Sequence, residues 1–163
     1  MILKSQTGKT EFELRFASYQ FPRIDYDMWD ANWLFVSIRV DCPAAKWTRM
    51  DPCLTTIEAR ELADWLAAHA SNGNAAPFLG FLEPNLAFRV VQRDASVCRL
   101  RVYFAAECHP PRIPQSDRGD GFFISIQLSI DDLRRAAIQL RQDLLLFPVR
   151  AMPPVRDSDC LDT

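Results

Sequence analysis

Four stretches of this chain alternate apolar and polar residues with a period of two, and that pattern limits the available folds more than any other feature. Thr10, Phe12, Leu14 and Phe16 alternate with Glu11, Glu13 and Arg15. Leu34, Val36, Ile38 and Val40 alternate with Phe35, Ser37 and Arg39. Cys98, Leu100, Val102 and Phe104 face away from Arg99, Arg101 and Tyr103, and in "FFISIQLSI" the apolar set is Phe122, Ile124, Ile126, Leu128 and Ile130. Successive side chains of an extended chain point to opposite sides, so each stretch is a strand with one dry face. Shorter extended pieces accompany them. Residues 2–6 form a partner strand across a turn at Gly8, and 45–52 return toward a close at Asp51-Pro52. Residues 78–94 and 96–109 are two extended segments joined at Asp94-Ala95-Ser96.

Only two segments carry the helical period. "LTTIEARELADWLAAHA" places Ile57, Leu62, Trp65, Leu66 and His69 near helical spacing, with Thr55 or Thr56 as the cap and Glu58 in the first turn. "SNGN", 71–74, stops it. "DDLRRAAIQLRQDLLLF" buries Leu133, Ala136, Ala137, Leu140 and Leu144 behind a cap at Ser129 or Asp131. Strands joined by short turns pair antiparallel, so the order strands, helix, strands, helix predicts an α+β fold. The expected architecture is a single curved antiparallel sheet of roughly six to eight strands with both helices packed on one face. Residues 1–148 form that single domain, and 149–163, with prolines and no periodicity, are expected to be a loosely ordered tail.

At 163 residues the chain can bury a full core, and a net charge of −2 gives no global pull toward nucleic acid or acidic lipid. No apolar run approaches the ~18 residues that span a bilayer. Cys42, Cys53, Cys98, Cys108 and Cys160 are odd in number and lack CxxC spacing, so free thiols and a cytoplasmic location are expected.

The residues that could carry chemistry form no familiar constellation. HExxH, GxSxG, Walker A and GxGxxG motifs are all missing from the sequence. Cys108-His109 suggests a thiolate and its base, but neighbours on an extended chain diverge, and Pro110 fixes the exit. Asp25, Asp27 and Asp30, with Glu83 or Glu107, have the chemistry of a hard-cation site, against the plainer reading of solvated or turn-capping carboxylates. No catalytic residue, metal or cofactor is expected. Glu83 in "FLEPNL" is expected to accept hydrogen bonds from Asn32 or Trp33 in a structural clasp. Trp29, Trp33, Phe35 and Tyr103 beside Arg39, Arg99 and Arg101 would suit base stacking. Against nucleic acid stand the net charge and Glu11, Glu13 and Asp41, expected on the same outer face.

"DANWL" (Asp30–Leu34), a lone Trp47, "CLTTIEARELADWL" and "FLEPNLAFRV" then fall into one pattern. Together with "RLRVYFAAE", "FFISIQLSIDDLRRAAIQL" and the close at "LFP", they resemble the WapI-type immunity proteins of bacteria, over residues 10 to 148. The resemblance implies a small cytoplasmic protein that binds and neutralises a toxin domain, a nuclease in the parent family, and it brings no active site with it. It also implies a scaffold role for DANW. Asp30 or Asn32 would hold backbone groups, Trp33 would cover the sheet end, and Glu83 and Asn85 of the EPN segment would lie alongside. Exposed aromatics and arginines anchor protein interfaces, so Tyr26, Trp29, Arg99 and Arg101 are the candidate partner-binding residues, with loop 109–120. The competing reading is a self-associating accessory module without a toxin partner.

Overall fold

The computed structural model of the chain describes residues 1–71, 74–114 and 121–150. Its strands are Ile2–Lys4 (β1), Glu11–Tyr19 (β2), Trp33–Asp41 (β3), Lys46–Thr55 (β4), Phe78–Gly80 (β5), Leu86–Arg93 (β6), Val97–Phe104 (β7) and Phe122–Ser129 (β8). Thr56–Ala70 forms helix α1 and Ile130–Asp143 helix α2. The class is α+β, but the strands form two four-stranded antiparallel sheets, β1-β2-β3-β4 and β5-β6-β7-β8, and not the single sheet expected. The two meet where β1 passes β8. There the Gln6 N–H donates to the Gln127 carbonyl at 3.1 Å and Gln127 Nε2 to Gln6 Oε1 at 3.0 Å. These contacts make a seam rather than a ladder.

Period-two alternation says which residues of a strand face inward, but not which sheet the strand joins. Here the inner faces of both sheets serve one core. Phe12 of β2 lies 6.0 Å from Phe88 of β6 and 5.8 Å from Phe104 of β7, centroid to centroid. Trp47 of β4 lies 5.1 Å from Phe104 and 5.6 Å from Phe122, and its Nε1 donates to the Cys108 carbonyl at 3.1 Å. The Phe12–Phe88 pair and both Trp47 pairs are edge-on, an arrangement favoured by the aromatic quadrupole. Helix α2 contacts both β1 and β8, and so lies over the seam, with α1 packed beside it.

Several boundaries differ from expectation for local reasons. Strand β4 does not close at Asp51-Pro52 but runs on to Thr55. The register slips between Leu34↔Leu54 and Val36↔Asp51, so β4 carries an extra residue there, a bulge that tolerates a proline without a ladder donor. The extended segment 78–94 is broken by a turn into β5 and β6. Ile130 opens α2 instead of ending β8, and Leu144–Leu146 tighten into a 3-10 turn after α2.

Both helices start at capping boxes. Thr55 and Ser129 are the caps, each accepting from the backbone N–H three residues on, while Glu58 and Asp132 reach back to the cap N–H groups. The expected tail lies outside the described residues from 151 on. Arg150 is anchored: its N–H donates to Asn32 Oδ1 at 3.0 Å, and its guanidinium lies 3.4 Å from the Tyr19 ring centroid.

Candidate partner-binding surface

The 3-10 turn Asp30–Asn32 delivers the chain into β3. Asn32 is fully buried; its Nδ2 donates to the Met28 carbonyl at 2.7 Å, and its own carbonyl accepts from Thr56 Oγ1 at 3.4 Å. Trp33 is half-buried and pairs with Thr55 at the end of the sheet. Asp30 is exposed, and its N–H, like that of Trp29, donates to Asp27 Oδ1 at 2.9 Å. Asp27 therefore caps this turn.

The clasp expected at Glu83 is built from other groups. Glu83 is exposed, and Glu58 instead reaches the segment, its Oε1 accepting from the Leu82 N–H at 2.7 Å. Asn85 is buried and donates to both Asp51 Oδ1 and Glu107 Oε2 at 3.1 Å. Burial, then the charges of Glu107 and Glu83, push the Asp51 carboxyl above its usual range.

Cys108 and His109 do not meet as nucleophile and base. Cys108 and Cys53 are free thiols in hydrogen-bonding contact, and this contact and burial push the Cys53 thiol up, while His109 Nδ1 lies 3.1 Å from the Pro110 carbonyl. Among the described residues no group of His, Cys, Asp and Glu side chains is arranged to hold a metal ion.

The outer faces of the two sheets differ in how their charges are satisfied. On the first, Arg39 donates from Nε to Glu13 Oε2 and from Nη2 to Glu11 Oε1, both at 2.9 Å, Arg15 also pairs with Glu13, and Lys46 pairs with Asp41. Burial alone would raise the Glu13 carboxyl, but its bonds to Arg15 and the charges of Arg15 and Arg39 hold it below the usual range. Arg99, Arg101 and Tyr103 lie on the second sheet. The acids expected to offset those arginines are thus on a different surface, and so are Arg39 and Phe35.

On the second sheet the register sets Phe78, Arg89, Arg101 and Ser125 in one row across β5 to β8, with Tyr103 opposite Phe123. The Arg101 guanidinium stacks 4.5 Å from the Phe123 centroid and that of Arg89 5.2 Å from Phe78. Among the described residues no ion pair reaches Arg89, Arg99 or Arg101. Arg101 Nε is buried and has no hydrogen-bond partner among the described residues. Phe78 and Phe123 are 46% and 41% exposed. Arg89, Phe78 and Phe123 were missed in the sequence, although Phe123 and Arg89 are the outward members of alternating runs.

Trp29 and Tyr26, 52% and 82% exposed, belong to the connection before β3. Trp29, Met28, Ile57, Phe81 and Leu82 help line a cleft of about 480 Å³ that also reaches Gly80. The Phe78 ring lies over Gly80, where a Cβ would stand 3.2 Å from it. The cleft and the outer face of the second sheet therefore meet at β5. Of loop 109–120, only residues 109–114 lie among those described; Pro110–Ile113 form one wall of a second cleft, opposite Ala44–Thr48.

The model of the immunity protein WapI-like family matches residues 1–148. The chain belongs to this family. Membership in the WapI-like family supports a toxin-neutralising role at the family level, and such proteins are in general not catalysts. No curated protein and no solved structure matches this WapI-like chain. No helix among its described residues is long and apolar enough to cross a membrane.

Proposed function

We propose that this chain is a bacterial immunity protein that acts in the cytoplasm by binding one cognate toxin domain and blocking it, without a reaction of its own. The observation that carries the reading is the family match across residues 1–148. A surface with exposed aromatics and with arginines that no ion pair reaches among the described residues supports binding as its mode of action, since these residue types anchor protein interfaces. Tyr26, Trp29, Arg99 and Arg101 are the proposed contact residues. The toxin domain is the C-terminal part of a large secreted protein, and a nuclease is the activity that fits the parent family.

The test is co-expression. Cells producing the toxin domain encoded beside this chain's gene should grow only when this chain is present, and the two should co-elute as a stoichiometric complex. Growth arrest that this chain leaves unchanged, with the chain eluting only with copies of itself, would overturn the reading and favour a self-associating module.

A further inference from the structure

Resting on the immunity reading, we infer that the outer face of the second sheet, centred on Arg89 and Arg101, is the interface, and that it fits a protein surface presenting carboxylates beside apolar side chains. Arg89 and Arg101 stand directly opposite each other across β6 and β7, with Arg99 two residues along. Like charges at directly paired positions destabilise a sheet, and among the described residues no acid pairs with these arginines. The first sheet shows the ordinary solution, each of Arg15, Arg39 and Lys46 being matched to a carboxylate. An isolated fold gains nothing from leaving the second face unmatched. Carboxylates from a partner would remove the repulsion.

Geometry favours the same occupant. Cation–π contact with Phe123 and Phe78 restrains two guanidinium groups before any partner arrives, and guanidinium groups are suited to two-pronged bonding to a carboxylate. Less side-chain freedom is then lost on binding. The exposed edges of Phe78 and Phe123 add apolar area beside the charges, and the cleft at Trp29 extends it past β5. A single-stranded nucleic acid could use the same residue types, but the phenyl faces that would stack on bases are already occupied by arginine. The observations therefore favour protein carboxylates.

The experiment measures affinity of the full chain for the inactivated toxin domain named above, by calorimetry at low and moderate salt. Arg89→Ala and Arg101→Ala should each weaken binding about 30-fold, the size of an interface hot spot, and Arg101→Lys should recover only part of it. Lys46→Ala, which removes the same charge from the first sheet, should leave affinity unchanged. Thermal unfolding of both arginine variants should match or exceed wild type, which excludes misfolding as the cause. Wild-type binding that both variants retain in full would overturn the inference and leave the immunity reading standing. Wild type that does not bind the domain would overturn both. Retention of a single-stranded RNA oligonucleotide by wild type, lost in Arg101→Ala, would replace the protein partner with nucleic acid.

Discussion

At the scale of single residues, Asn85 has the clearest structural task. Its buried amide donates to two carboxylates, Asp51 and Glu107, and among the described residues it is the donor that lies between them. Replacing it with alanine leaves both acceptors facing each other without a donor, and Asn85→Ala should cost about 1–3 kcal/mol in chemical denaturation. Asp51→Asn should instead raise the melting temperature at neutral pH, because it keeps an acceptor for Asn85 and removes a carboxyl that burial, then repulsion from Glu107 and Glu83, pushes up. A second residue sets a pH dependence. Burial and, more weakly, the nearby charge of Arg93 lower His69 below 6.5, against the opposing bond to the Ala76 carbonyl. Below 6.5 the unfolded chain binds a proton that native His69 does not, so stability falls as pH drops from there toward the lowered native value. Urea midpoints at pH 7.5 and 5.5 should show this decline in wild type and a smaller one in His69→Leu.

At the scale of elements, the start of α1 is more than a helix cap. One Glu58 carboxylate accepts from Thr55 through Oε2 and from the Leu82 backbone through Oε1, tying helix, strand β4 and the turn before β6 together. Glu58→Ala removes both the box and the tie and should cost about 2 kcal/mol, roughly double the loss from Thr55→Ala, read from denaturation midpoints. The alternatives Thr55 or Thr56 and Ser129 or Asp131 were open in the sequence because either residue type can cap; the structure takes Thr55 and Ser129. The strands with long alternating runs were legible from their periodicity. Sheet membership was not, because Phe12 and Phe88 carry the same inward signal though they belong to different sheets. Nor was the bulge at Pro52, since the register that accommodates it belongs to the β3–β4 pair. The outer faces were misread together for the same reason: Glu13 and Arg101 alternate alike, and only topology shows that they cannot meet.

At the scale of the whole molecule, the two sheets and two helices do not have separate interiors. One continuous cluster of buried side chains includes Phe12 and Trp47 from the first sheet, Phe88 and Phe104 from the second, and Leu62, Leu66, Leu133 and Leu140 from the helices. Neither sheet can lose its partner without exposing its own apolar face, so the described domain should unfold as one cooperative unit. Tryptophan fluorescence and far-ultraviolet circular dichroism should therefore give coincident urea transitions. Phe12 is the sharpest probe, because its ring contacts Phe88 and Phe104 across the interior and is fully buried. Phe12→Ala should lower stability by about 3–5 kcal/mol and move both transitions together. If the fluorescence transition alone moved, the sheets would be unfolding separately and the seam at Gln6 and Gln127 would be a boundary between units. Coincident movement would instead mean that the interior alone secures the fold, leaving the outer face of the second sheet open to serve a partner.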